Sequence, residues 1–144
     1  MGEGTSLLPA IEVGQTIPAL EIEPVSRLTL ALFAGASGDH NPIHIDLDYA
    51  RGAGMDDVFA HGMLSMAWLG RMLTNWAPQM LLRHFQVRFV AITHVHERII
   101  CTGRVVERLA AGGEERLRLE VQTANQAGEV KLTGEAVLAV ASSA

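Results

Sequence analysis

The residues best suited to chemistry lie in the segment Ser37-Gly38-Asp39-His40-Asn41-Pro42-Ile43-His44. Asp39 and His44 are separated by a turn, because Asn41 precedes Pro42 and is pushed out of the helical region. If a carboxylate and an imidazole converge on one water, one group can remove a proton while the other delivers one. Such general acid–base catalysis is worth roughly 10²–10⁴-fold in rate and is what the hydration of a double bond needs.

Structural roles compete with this interpretation of the segment. Asp39 could form an Asx turn or a cap, and His44 could be a half-buried histidine bonded to backbone. Histidines 40, 44, 94 and 96 also offer metal ligands, but no cysteine set or H-E-x-x-H pattern accompanies them. The sequence therefore does not favour a metal site.

A second candidate feature is His61-Gly62, at the predicted start of a long helix. Free N–H groups and the positive end of the helix dipole point outward there. The Gly62 N–H could stabilise a developing oxyanion, and one such donor can be worth roughly 10²–10³-fold in rate. Close helix packing for Gly62, and a cap or core hydrogen bond for His61, are the plainer alternatives.

The elements that must position these residues follow from the period of the apolar residues. The spacing is helical before Pro78, and it alternates with a period of two after Phe85. The predicted elements are an edge strand within 15–25, a short helix over 27–35 capped by Ser26, a helical turn over 46–51, a long helix over 61–76, and strands at 85–89, 97–109, 116–124 and 130–140. This order predicts an α+β fold in which an antiparallel sheet curls around the long helix.

The long helix carries an apolar stripe that includes Met63, Leu64, Ala67, Trp68, Met72 and Leu73. The methionines of this helix, Met63 and Met66 among them, could line an acyl tunnel with adaptable side chains. A plain core role is the alternative.

Length and composition limit the remaining possibilities. A chain of 144 residues fits one domain over 1–144, and 49% hydrophobic against 19% charged residues favours a globular fold. The net charge of −5 argues against a nucleic-acid partner. The arginines of the second half could meet the phosphates of a small cofactor, but they are expected on a solvated sheet face. The single cysteine, Cys101, excludes an intrachain disulfide. No apolar run reaches membrane length, so we expect a soluble, cytoplasmic protein without a membrane partner.

The segment from Phe33 through Gly38-Asp39-His40-Asn41-Pro42-Ile43-His44, followed by His61-Gly62-Met63-Leu64, resembles the hydratase-2 motif of MaoC-like enzymes. The run HGMLSMAWLGRMLTNW most resembles the β subunit of the mycobacterial-type 3-hydroxyacyl-ACP dehydratase. The likeness extends from about Val13 to the final strand. It implies a hot-dog fold, no metal or organic cofactor, and (3R)-specific hydro-lyase chemistry of fatty acid metabolism on enoyl or 3-hydroxyacyl thioesters. The thioester partner would be acyl-CoA or acyl-ACP.

The resemblance also implies roles for residues. Asp39 and His44 take the positions of the catalytic pair, Asn41 orients them, and Gly62 is the main-chain oxyanion donor. Substrate contacts are expected from Asn41, His61, Met63 and Met66. The family serine of several (R)-specific hydratases falls at Ala67 here, and Ser65, two residues earlier on the helix, is not expected to replace it simply.

The resemblance further implies a dimer in which two sheets join, as a homodimer or as a heterodimer with another hot-dog subunit. Two other functions remain open, namely a non-catalytic or partner-dependent subunit of a heteromeric dehydratase and a hot-dog thioesterase. The sequence does not decide the acyl chain length, CoA against ACP, the physiological direction, or which of Asp39 and His44 is the base.

Overall fold

The computed structural model describes residues 6–141, and its elements follow the predicted order. The strands are β1 (Leu20–Ile22), β2 (Leu82–Phe89), β3 (Ile99–Ala111), β4 (Glu114–Ala124) and β5 (Val130–Ala139). The helices are α1 (Arg27–Ser37), α2 (Leu47–Gly52) and α3 (Gly62–Trp76), with single 3₁₀ turns at Pro42–His44 and Gln79–Leu81.

The five strands form one antiparallel sheet in the order β1-β3-β4-β5-β2. Tight turns join the three central strands, because Gly112 and Gly113 both adopt positive φ after β3, and Gly128 does so before β5. The α3 helix packs against β1, β3 and β4, and one apolar core fills the space between helix and sheet. The predicted α+β architecture is confirmed.

The first helix begins where the sequence indicates and ends later. The Ser26 side chain accepts a hydrogen bond from the Thr29 N–H, which confirms the predicted N-cap. The helix continues to Ser37, two residues past the predicted end at Gly35, and stops at Gly38, whose φ of 77° is left-handed. Gly35 is tolerated inside the helix, whereas Gly38 supplies the conformation that ends it.

The α3 helix confirms the predicted long helix but buries a different face. Its buried residues are Leu64, Ser65, Trp68, Leu69, Met72 and Leu73. Met63 is 57% exposed and Ala67 is also exposed, so the expected inclusion of both in the buried stripe is wrong. Ser65 and Leu69 are buried in place of Met63 and Ala67. The buried face of the helix is therefore turned by about one residue position from the face that the apolar residues alone indicate.

The outer face of the sheet is polar, as expected for the arginines of the second half. Arg118 pairs with Glu107 and Arg104 with Glu120 across the neighbouring strands β3 and β4. Arg83 of β2 pairs with Glu114 at the start of β4. The inner face carries Cys101 of β3, which is fully buried and lies opposite Leu20 of β1. Burial raises the pKa of this thiol to about 12. Within residues 6–141, no helix is long and apolar enough to cross a membrane.

Candidate active site

A chain of local hydrogen bonds shapes the loop that follows α1. The Ser37 hydroxyl accepts from the Asp39 N–H at 3.2 Å, and the Asp39 Oδ1 accepts from the Asn41 N–H at 3.3 Å. The Asn41 Oδ1 then accepts from the Ile43 N–H at 3.1 Å and caps the 3₁₀ turn. Asp39 therefore does form the Asx turn that was the plain alternative, but one carboxylate oxygen suffices for it. The side chain is exposed and its other oxygen can bind a ligand.

His44 ends the 3₁₀ turn with only 9% of its surface exposed. Its Nδ1 lies 2.7 Å from the Phe59 carbonyl oxygen. Because a carbonyl can only accept, Nδ1 must carry the proton, and neutral His44 then presents a lone pair at Nε2. The Phe59 ring also meets the His44 ring edge-on, with centroids 5.0 Å apart. One residue thus fixes both the tautomer and the orientation of His44.

His61 lies directly against His44. The two rings stack with centroids 3.9 Å apart, and His61 Nε2–H donates to the Asp39 carbonyl oxygen at 3.2 Å. His61 is 1% exposed, and its buried Nδ1 has no hydrogen-bond partner among the described residues. Burial lowers the pKa of His61, and the charge that His44 can carry lowers it further, against a smaller opposing effect of the bond to Asp39. The neutral ring is therefore favoured.

The side chains of Asp39, His44 and His61 lie close together. One ligand atom each of Asp39, His44 and His61 can be chosen so that all three lie within 4.8 Å of one another. A single water can bridge groups up to ~5.5 Å apart, which is two hydrogen bonds laid end to end. These three side chains could also hold a metal ion.

Gly62 follows His61 as the first residue of α3. Its N–H donates to no acceptor in the described part of the chain, as the start of a helix leaves it free. A Cβ at this position would lie 2.9 Å from Cε1 of Phe89, so only glycine leaves the ring where it is. The residue next to the histidine stack thus offers a free donor at the positive end of the helix.

An apolar pocket of about 310 Å³ opens beside this donor. It is lined by Phe59, Ala60, Gly62, Ser65, Phe89, Val90, Ala91, Ile92, Thr93 and Leu132. Met63 and Met66 are not part of this lining, since Met63 points to solvent and Met66 packs partly buried against the core. A larger polar depression of about 1010 Å³ lies on the outer face of the sheet, away from the histidines.

Sequence reasoning missed three features of this region. Ser65 lines the pocket, whereas the exposed Ala67 does not. A signal existed, because Ser65 is in helical phase with Trp68, Leu69 and Met72. The Phe59 carbonyl left no signal, since every residue carries such a group, and the approach of Phe89 to Gly62 depends on tertiary packing.

Comparison with known proteins gives one family and several relatives. The family model described as MaoC like domain matches residues 10–127. The chain is 29% identical to the (R)-specific enoyl-CoA hydratase of Rhodospirillum rubrum over 118 residues, covering 81% of this chain and 80% of that protein. It is also 27% identical to the fatty acid synthase subunit beta of Saccharomyces cerevisiae over 92% of its own length, but it spans only 6% of that subunit.

Solved structures show the same fold. R-hydratase PhaJ1 from Pseudomonas aeruginosa is 30% identical with a TM-score of 0.81, and the match covers 92% of this chain and 84% of that one. A protein of the ChsH1-ChsH2 complex from Mycobacterium tuberculosis is 21% identical with a TM-score of 0.77, covering 91% and 99% of the two chains. These likenesses confirm the predicted hot-dog fold.

Proposed function

The chain belongs to the MaoC-like domain family, and on this premise we propose that it is a hydro-lyase acting on 2-enoyl and (3R)-3-hydroxyacyl thioesters. Catalysis would be carried by Asp39 and His44 and assisted by the Gly62 N–H. The family points to hydratase or dehydratase chemistry in general. The convergence of Asp39 and His44 within 4.8 Å, beside a free helix N-terminus, is the observation that supports this assignment of residues.

In the proposed mechanism a water lies between the Asp39 carboxylate and His44 Nε2. The thioester carbonyl accepts the Gly62 N–H, which stabilises the enolate that develops as the water oxygen bonds to C3. The pair takes one proton from the water and returns one proton to C2. One water is consumed, the double bond becomes a single bond, and both residues are regenerated. The reverse steps dehydrate the hydroxyacyl form.

The pocket beside Gly62 fits the acyl chain of such a substrate. It is mostly apolar, and its volume of about 310 Å³ lies at the lower end of ligand pockets. A carbonyl bound at Gly62 would place the chain along Phe89, Val90 and Leu132. Asn41 caps the turn that carries His44, and His61 holds the Asp39 carbonyl, so both would act by positioning the pair.

The test is the decay of enoyl absorbance with crotonyl-CoA and a longer trans-2-enoyl-CoA. Asp39→Asn and His44→Ala should each lower kcat by roughly 10²–10⁴-fold while remaining folded. His40→Ala is the matched control, because His40 is an exposed histidine of the same loop. Full activity in either site variant would overturn the mechanism. Release of free CoA thiol without hydration would support a hot-dog thioesterase instead.

The same experiment with added partners addresses the second function, a subunit that needs another hot-dog chain. The described residues leave the outer edge of β2 unpaired, and the exposed apolar side chains of Phe89, Val90 and Ile92 lie at or just beyond its end. Such an edge is typical of a strand that pairs with another chain. We therefore propose a dimer, with itself or with another hot-dog subunit. The mass in solution and activity with acyl-CoA against acyl-ACP, with and without candidate partners, separate these cases.

A further inference from the structure

Lys131 is a buried lysine near the start of β5. Its side chain is 1% exposed, and its ammonium group has three partners. It donates to the Ile92 carbonyl oxygen at 2.8 Å, lies 3.2 Å from Oε1 of Glu97 and contacts Oε1 of Glu129. A lysine is almost never buried this fully unless it is paired, so the network has to be complete for the fold to hold it.

Glu97 is the less exposed of the two carboxylates, with 12% of its side chain exposed against 58% for Glu129. Burial alone would raise the pKa of Glu97. Hydrogen bonds from the Asn125 side chain, the His94 N–H and Lys131 outweigh burial, and the pKa is lowered overall. Glu97 is therefore ionised at neutral pH, and it pairs with the ammonium group of Lys131.

Lys131 forms hydrogen bonds with the segment 90–92 through both the backbone and the side chain of the lysine. Its carbonyl oxygen accepts from the N–H groups of Val90 at 2.8 Å and Ala91 at 3.1 Å, and its ammonium group holds the carbonyl of Ile92. Three consecutive residues outside any regular strand are thus bound to one residue.

The segment 90–92 forms one wall of the apolar pocket, and the next residue, Thr93, also lines it. Backbone contacts between the residues that follow this segment and residues 59–60 connect it to the proposed catalytic pair. The Thr93 carbonyl accepts the Ala60 N–H at 2.9 Å, and Phe59 bridges to His94. Phe59 in turn supplies the carbonyl that holds His44.

We infer that Lys131 is a positioning residue of the proposed hydratase site. Together with Glu97 it holds the segment 90–92 as part of the pocket wall against which an acyl chain longer than a crotonyl group packs. The inference rests on the proposed function for its substrate, but the positioning itself is a property of the folded chain. Long acyl chains depend on the wall more than short ones, because a crotonyl group carries a single carbon beyond the double bond.

Lys131→Met tests this with a side chain of similar length that makes neither ionic contact. The ratio of kcat/KM for 2-octenoyl-CoA to that for crotonyl-CoA should fall by about tenfold or more, since a misplacement of ~1 Å can cost ~10²-fold. The loss should lie mainly in the KM for the octenoyl substrate. Leu117→Ala is the matched control, because it weakens the core between β4 and α3 without touching the segment, and it should leave the ratio unchanged.

Hydrogen exchange provides a readout that needs no activity. The amides of Ala60, Val90 and Ala91 should exchange faster in Lys131→Met than in the wild type. In Leu117→Ala their exchange rates should be unchanged. Unchanged exchange, or an unchanged ratio in an active Lys131→Met enzyme, overturns the inference. If the wild type hydrates no thioester, the proposed function fails, and the exchange result alone decides whether Lys131 positions the segment. Should Lys131→Met not fold, Glu97→Gln removes the same ion pair and is judged by the same measurements.

Discussion

The stacked imidazoles of His44 and His61 carry their protons on different nitrogens. His44 donates from Nδ1 to the Phe59 carbonyl, and His61 donates from Nε2 to the Asp39 carbonyl. Both acceptors are backbone oxygens, so neither ring can exchange its donor for an acceptor without losing a bond. His44 Nε2 thereby keeps a lone pair for chemistry, whereas Nδ1 of His61, which has no partner within residues 6–141, is buried.

Nitrogen NMR of the histidine side chains should show these two tautomers when both rings are neutral. We expect His44 with a protonated Nδ1, which is the less usual form, and His61 with a protonated Nε2, because the carbonyl oxygens hold these protons. The spectra of His44→Gln and His61→Gln assign the signals. A protonated Nε2 on His44 would contradict the geometry from which its role as a proton acceptor follows.

His61 should make stability depend on pH. Its pKa in the folded chain lies below the ordinary 6.5, so the unfolded chain binds more protons in acid and stability falls as the pH drops below that value. His61→Gln keeps a donor for the Asp39 carbonyl but does not titrate. We therefore expect the urea midpoint to fall less in this variant than in the wild type between about pH 7.5 and pH 5.5. Equal falls would mean that His61 is not held neutral.

The oxyanion role of Gly62 can be tested by removing only its N–H. Proline is tolerated at the first position of a helix, and His61 already has the extended backbone, φ −57° and ψ 136°, that a following proline requires. The test uses a Phe89→Ala background, so that no ring meets the new side chain. There, Gly62→Pro should lower kcat by roughly 10²–10³-fold relative to Gly62→Ala, which keeps the N–H. Equal rates in the two variants would remove Gly62 from the mechanism.

Two glycines should respond in opposite ways to alanine. At Gly134 of β5 a Cβ would clash with the Gln86 carbonyl oxygen, and Gly134→Ala should lower the free energy of unfolding by about 1–3 kcal/mol because β2 and β5 must separate. At Gly35 in α1 an added Cβ would meet nothing within 4 Å beyond its chain neighbours and the backbone of its own helix. Gly35→Ala should therefore raise the free energy of unfolding by about 0.5–1 kcal/mol. Chemical denaturation of both variants checks this, and equal effects would contradict it.

The elements that the sequence predicts well are those with local signals. Ser26 caps α1 by bonding a residue three positions on, and Gly112-Gly113 turns the chain where two positive φ angles are needed. The spacing of Asp39 and His44 across a proline turn likewise allowed their convergence to be anticipated. Their roles remain a prediction that kinetics must test.

The features that the sequence did not predict depend on tertiary contacts. Lys131 and Leu132 are adjacent on β5 and would face opposite sides of a regular strand, yet both are buried. The register of β4 against β5 shifts near this point, and the segment 90–92 covers the lysine. Nothing in the residue types near Lys131 indicates which carbonyl its ammonium group would find.

The burial of Cys101 makes its thiol a probe of local opening of the fold. The thiol is protonated at neutral pH and lies between α3 and the sheet, opposite Leu20 on the three-residue edge strand β1. A disulfide reagent reaches it only after α3 or β1 has separated from β3. Because the sequence holds no second cysteine, the rate of labelling measures the frequency of this opening without an engineered probe.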